Sequence, residues 1–267
     1  MKELIFYSLS SGSSGNCYYI GSQSKGILID AGIPARQTRK FLEENNISIE
    51  AVMAVLISHN HSDHTRGLEV LARRHHIPVF TTRKVWDSIN IHRKNIPGPC
   101  IREIRLEKEF TLADMKIITF AVSHDAPETI GFHICMDDNR ITIATDLGYI
   151  SETAALYINK ARLLVIEANY DETMLSEGRY PYFLKKRISS DQGHLSNKQT
   201  SEFLANTLSA NLSHICLAHL SIKNNSPEKA RLTLENTLLE KGIKQNDRPE
   251  IYVLNRNKPT PPISLTS

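Results

Sequence analysis

The chain has 267 residues, 40% hydrophobic and 23% charged, with a net charge of +3. That length and balance describe an ordinary globular core that needs no disulfide staples, and a weak positive charge admits an anionic substrate without arguing for one. The opening MKELIFYSLSSGS lacks the apolar stretch of a secretory signal, and no run approaches the ~20 apolar residues of a membrane span. The four cysteines, Cys17, Cys100, Cys135 and Cys216, are scattered, with no Cys-x-x-Cys pair. They read as free thiols in a reducing cytoplasm, Cys135 and Cys216 inside apolar runs as buried ones.

In chain order, ELIFYSL, NCYYIG and GILIDAG read as three strands. LSSGSSGNC, between the first two, resembles an engineered linker, but too few residues precede it for a domain, so it reads as a tight loop within one sheet. AVMAVLIS (51–58) is a buried strand run, TRGLEVLARRHH (65–76) has helical spacing, and Pro78 follows. Strands are predicted over 115–123, 130–136, 140–146, 161–169, 213–221 and 249–254. Helices are predicted over 196–210, capped by Ser196, and 226–241, with Pro227 in the first turn. Hairpin strands come first and helices separate the later ones, which predicts mixed sheets covered by helices in one domain, residues 1–255. The Pro-rich segment 256–267 is expected to be a flexible C-terminal tail.

The chemistry concentrates in LISHNHSDHTRGL, residues 56–68. His59, His61, Asp63 and His64 follow a buried strand within six residues. His59 and His61 point the same way if the backbone stays extended, and Asp63 and His64 lie on the turn into the helix. Neutral imidazole nitrogen and carboxylate oxygen together suit Zn, Mn or Fe. Asp30, His124, Asp146 and His219 each end a further predicted strand. Taken singly, a histidine there is usually structural.

The pattern His-x-His-x-Asp-His after an apolar strand, followed by those single residues in order, resembles the metallo-β-lactamase fold hydrolases. The resemblance implies an α/β fold, a four-layer αββα sandwich with its metals at one edge, between the sheets. FYSLSSGSSGNCYYI, EANYD, PYFLKKRISSDQGHLSN and LAHLSIKNNSPEKA are similar to one branch, the YycJ-like (WalJ-like) nucleases. For that branch a cytoplasmic location and 5′→3′ exonuclease activity on double-stranded DNA are expected.

By resemblance, His59, His61 and His124 hold one divalent ion (Zn or Mn, with Fe also suitable) and Asp63, His64 and His219 a second. Asp146 bridges the two, because a carboxylate has two oxygens. Such a pair, ~3.5–4 Å apart, clamps a phosphodiester and lowers the pKa of water from ~15.7 toward ~7. Asp63 is also expected to orient the attacking water. Asp30 belongs behind the ligands, orienting them by hydrogen bonds, with a plain turn before Gly32 as the other reading. His194, before the helix leading to the strand of His219, resembles the extra histidine of the ribonuclease Z branch and is expected to act on the phosphate or leaving group. His75, His76, His92 and His214 lack such context and read as surface or packing residues.

Ser13, Ser14 and Asn16 of the Ser/Gly loop, together with Ser221, Lys185, Lys186 and Arg187, are candidate substrate contacts. The loop offers backbone N–H groups and small hydroxyls, and the basic residues could meet a DNA backbone. No Lys follows a glycine run, so this is not a nucleotide P-loop. The expected function is a two-metal phosphodiesterase with nucleic acid, double-stranded DNA ends above all, as partner. Two other readings stay open: a small-molecule (thio)ester or lactone hydrolase of the same fold, and a non-catalytic metal-bound DNA-end module.

Overall fold

The structure is a computed structural model describing residues 3–90 and 95–266; His92 lies outside the described residues. Two seven-stranded sheets are stacked face to face. The first contains β1 (Leu4–Ser10), β2 (Cys17–Gly21), β3 (Gly26–Ile29), β4 (Val52–Leu56), β5 (Val79–Thr81) and β6 (Ile101–Glu103). The second contains β7 (Phe110–Leu112), β8 (Met115–Val122), β9 (Thr129–Met136), β10 (Asn139–Ala144), β11 (Leu163–Glu167), β12 (His214–Ala218) and β13 (Glu250–Val253). The last strand, β14 (Ile263–Leu265), returns to the first sheet beside β1.

Period-2 alternation sorts the strand residues into layers. Leu4 and Phe6 of β1, Tyr18 and Ile20 of β2, and Ile27 and Ile29 of β3 face the second sheet, meeting Ile117, Phe132, Ile141 and Val165. The residues between them, such as Tyr7, Tyr19, Leu28 and Val55, face outward under α1 (Ala35–Glu43), α3 (Leu68–Arg74) and α4 (Arg83–Asn90). On the far side, Leu164, Ile166, Ile215 and Leu217 lie under α5 (Glu152–Ile158), α8 (Asn197–Thr207) and α9 (Pro227–Glu240). Both sheets are thus buried on two faces, and the order of layers is α, β, β, α, as expected. Each fully buried Leu, Ile or Phe contributes about 1.5–3 kcal/mol, so the three apolar layers fix the stacking.

Topology then decides where the strands end. β3 and β4 are parallel, as are β10, β11 and β12. β8 and β10 are both antiparallel to β9, so they share a direction. The carboxyl ends of β8, β10, β11 and β12 therefore lie along one rim of the second sheet. That rim is joined to the end of β4 through a bond from Ile130 N to Ser58 O of 3.1 Å.

Two expectations need correction. Residues 256–267 do not form a flexible tail where described: β14 pairs antiparallel with β1, Leu265 opposite Leu4, and both Ile263 and Leu265 are buried. Thr260 N bonds Ser8 O at 3.0 Å, and Arg256 reaches Leu220 O at 2.7 Å. Prolines 259, 261 and 262 masked a short edge strand, a position where Pro before the paired residues costs no ladder bond. The helix predicted over 65–76 begins earlier, as α2 (Ser62–Thr65), and re-forms as α3 after Gly67, so Asp63 and His64 are helical rather than on its approach.

Candidate metal centre

The loop after β4 is held from behind. Asp30, just past β3, has φ 60°, a left-handed conformation uncommon for a side-chain-bearing residue. Its carboxylate accepts from Ser58 N at 2.8 Å and lies 2.7 Å from His64 Nδ1. That contact turns His64 Nε2 into the site. His59 Nδ1 meets Ser58 Oγ at 3.0 Å, while its buried Nε2 has no partner. The chain is extended at His61 (φ −60°, ψ 150°), and the His59 and His61 rings stand 4.6 Å apart.

Backbone bonds lock three loops together. Asn16 N donates to Asp63 O at 2.7 Å, Gly32 N to Asn16 O at 2.8 Å, and Ala31 N to His64 O at 2.8 Å. A Cβ on Gly32 would lie 1.7 Å from Asp63 O, so only glycine permits this approach.

The second sheet supplies single residues from successive strand ends. His124 follows β8, and its Nδ1 donates to Gly193 O at 3.0 Å, leaving Nε2 for the site. Asp146 follows β10 with φ 56°, and His219 follows β12 with φ 55°. Strained strand ends of this kind cost of order 1–3 kcal/mol and cluster at functional sites. Asp146 stands at the middle: Oδ2 is 2.9 Å from His219 Nδ1 and 3.2 Å from His64 Nε2, and Oδ1 is 3.7 Å from His124 Nε2. Among the described residues four donor groups could hold a cation: His59, His61 and His124; His59, His64 and Asp146; His124, Asp146 and His194; and Asp146, Glu167 and His219. Asp146 belongs to three of these four.

Glu167, the last residue of β11, escaped the sequence reading. It is fully buried. Oε1 lies 2.7 Å from His194 Nδ1, and Oε2 accepts from Leu147 N at 3.0 Å and Leu195 N at 3.3 Å. The available signal was its place at a strand's carboxyl end, like its neighbours. Asp125 was also missed. One oxygen is 3.1 Å from His124 Nε2 and 3.7 Å from His61 Nε2, and the other accepts from Arg187 Nε at 2.7 Å.

Charge follows geometry. Burial, with the nearby His64 charge, holds His59 well below the usual imidazole range, so it is neutral and its nitrogen can accept a cation. Burial also lowers His124. Burial opposes charge on His64 too, but Asp30, Asp146 and Asp63 raise it well above that range. Asp146 is drawn far below the carboxylate range against its own burial by His219 and His64. For His194, burial opposes protonation, yet Glu167 prevails and pushes it up to about 9. An orphaned imidazole nitrogen among buried carboxylates is what a divalent cation would complete, and the donor set fits that group.

The remaining candidates are scattered. Ser11 Oγ accepts from His219 N at 3.0 Å, and Asn16 Nδ2 is 2.9 Å from His64 Nε2. The Ser/Gly loop therefore braces the site, with Asn16 buried and Ser13 exposed above it. Ser14 bonds Asn257 Oδ1, and Ser221 Oγ accepts from Asn224 N. Of the three basic residues, Arg187 alone is tied to the site, through Asp125; Lys185 Nζ donates to Ser176 O at 2.6 Å. Of the histidines set aside, His214 Nδ1 meets Ser213 Oγ on β12, away from the centre.

Histidines and aspartates at the shared rim of an αββα sandwich define a metal-dependent hydrolase. Residues 25–215 match the beta-lactamase superfamily domain. The chain belongs to the metallo-β-lactamase fold hydrolases and, within them, to the family of the YycJ and WalJ proteins. It is 36% identical over 257 residues to the exodeoxyribonuclease YycJ of Bacillus anthracis, covering 96% of this chain and 97% of that protein. Against the exodeoxyribonuclease WalJ of Streptococcus pneumoniae it is 35% identical over 265 residues, 98% of each. The metallo-beta-lactamase fold protein YhfI from Bacillus subtilis superposes with a TM-score of 0.72 at 13% identity, over 97% of this chain and 99% of that one. Among the described residues no helix is long and apolar enough to cross a membrane.

Proposed function

We propose that this protein is a two-metal phosphodiesterase that removes nucleotides from double-stranded DNA ends in the 5′→3′ direction. The observation that carries it is the placement of Asp146 between two clusters of imidazoles, with His194 held beside them by a buried carboxylate. The YycJ and WalJ proteins, matched over nearly their whole length, are exodeoxyribonucleases by name.

His59, His61 and His124 would hold one ion, and Asp63, His64 and His219 the other, Zn or Mn, with Asp146 shared. When bound, the ions supply positive charge to the phosphodiester and make water a nucleophile near neutral pH. The chain's own residues do the rest. Asp30 fixes the His64 ring. Asp63, at the partly open mouth, accepts a hydrogen bond from the attacking water and aims it. Glu167 holds His194 Nδ1, so Nε2 faces the phosphate and donates a proton to the leaving oxygen.

The test is a panel of 5′- and 3′-labelled single- and double-stranded DNA and RNA, with Mn or Zn supplied. Mononucleotide release beginning at 5′ ends of duplex DNA is expected. Release beginning at 3′ ends, or cleavage of RNA alone, overturns the assignment. Binding should weaken steeply with salt as phosphate contacts release counterions; a flat response favours the small-molecule hydrolase instead.

A further inference from the structure

The helix α7 (Tyr182–Ile188) is oddly built: none of its residues is buried. Tyr182 and Phe183 are 79% and 73% exposed, although burying an aromatic of this size is worth about 1.5–3 kcal/mol. Its two sides differ. Tyr182, Lys185 and Lys186 line a cavity of about 660 Å³ against α6 (Glu172–Glu177) and α8. On the other side Phe183 and Arg187, spaced i and i+4, share a face. Arg187 pairs with Asp125 through Nε at 2.7 Å and Nη2 at 2.5 Å. Asp125 in turn leans on His124 and His61. Phe183 therefore stands one helical turn from a guanidinium that reaches the mouth of the metal centre. Lys186, exposed at the edge between the two sides, borders that cavity and also lies at i+3 from Phe183.

We propose that Phe183 is a stacking platform for the terminal base of a DNA end, with Arg187 and Lys186 taking the adjoining phosphates. The proposal rests on the nuclease reading above and adds how an end is selected. An exonuclease meets every base in turn, so its contacts must tolerate sequence. A π-face is common to all bases, and stacking on an aromatic side chain is correspondingly sequence-tolerant. In the body of a duplex both faces of each base are already stacked; a free face exists only at an end. An exposed phenyl beside two cations and next to the cutting centre is complementary to that feature and not to duplex interior.

The test uses a short duplex carrying 2-aminopurine as its terminal base, with phosphorothioate linkages that resist cutting, titrated with the metal-supplied protein. Wild type should change the fluorescence of a terminal 2-aminopurine and not of an internal one. Phe183→Ala should weaken binding about 5- to 100-fold and leave metal content unchanged. Phe183→Trp should bind as wild type. Phe183→Leu keeps apolar area but has no ring, so it should behave as the alanine variant. Wild-type affinity in Phe183→Ala or Phe183→Leu overturns stacking while leaving the nuclease reading intact. Loss of self-association in Phe183→Ala, measured by sedimentation without DNA, would make the patch a subunit interface and also overturn it. A wild-type protein that binds no DNA at all overturns the nuclease reading itself.

Discussion

Between Ser58 and Thr65 one short segment, a loop running into α2, brings His59, His61, Asp63 and His64 to the candidate metal centre, packed against β3 by Asp30 and Gly32. The second sheet delivers His124, Asp146, Glu167 and His219 one at a time, from four strand ends that are neighbours only because β10, β11 and β12 run parallel and β8 shares their direction. The first arrangement needs only a local chain path. The second depends on the whole sheet being in register, since a one-residue slip would turn each of these side chains to the other face. Asp146, which contacts residues of both, is where the two arrangements meet.

The largest effect should come from breaking that meeting point. Asp146→Asn keeps the shape and removes the charge shared by three donor groups. Loss of at least one metal and of nearly all hydrolysis is expected, with an unchanged circular dichroism spectrum. Two metals per chain and near-wild-type turnover would show that the halves hold their ions independently.

His194→Ala tests a residue placed by the second half alone. Metal content should stay constant while turnover on a DNA end falls about 10²–10⁴-fold, the usual contribution of a general acid. A nitrophenyl phosphodiester, whose leaving group needs little protonation, should recover part of the loss. Glu167→Gln, read the same way, should follow His194→Ala in direction. A fall in metal content in His194→Ala would instead make it a ligand.

Gly32→Ala probes the first half. The added methyl meets Asp63 O at 1.7 Å, so a destabilisation of about 3 kcal/mol, the upper end of the overpacking range, is expected in urea denaturation. Catalysis should fall as well, because Asp63 and His64 must shift. An unaffected variant would mean that the loop does not need its anchor.

The smallest effect concerns His133 of β9, buried on the outer face of the second sheet and bonded to Thr142 Oγ1 at 2.8 Å. Burial, then Lys160 and Arg140, lowers it from 6.5 to about 4. The unfolded chain therefore binds the extra proton between those values. The stabilising effect is complete above about pH 6.5 and is lost as pH falls toward 4, with a loss of about 1.4 kcal/mol at pH 5.5. His133→Gln, which cannot titrate, should remove that part of the pH dependence in denaturation curves. Equal slopes for both proteins would show that His133 does not report on the sheet.

The motif at 59–64 was legible because its four donors sit within six residues, where neither packing nor register is needed to bring them together. Asp30, His124, Asp146 and His219 were legible as single polar residues after apolar strand runs. Their convergence was supplied by family resemblance, since nothing local fixes which strand ends adjoin. Glu167 and Asp125 stayed hidden for that reason: a carboxylate closing the strand run LLVI, or beside a histidine, gains its role only when His194 and Arg187 are placed against it. β14 stayed hidden because pairing with β1 spans nearly the entire chain. Apolar periodicity, caps and the contiguous His/Asp cluster are properties of short segments, and the sequence by itself determined them. The parallel order of strand ends, the left-handed turns at Asp30, Asp146 and His219, and the exposure of Phe183 beside Arg187 were decided only by the tertiary structure, because each depends on chain segments far apart in sequence meeting at one rim.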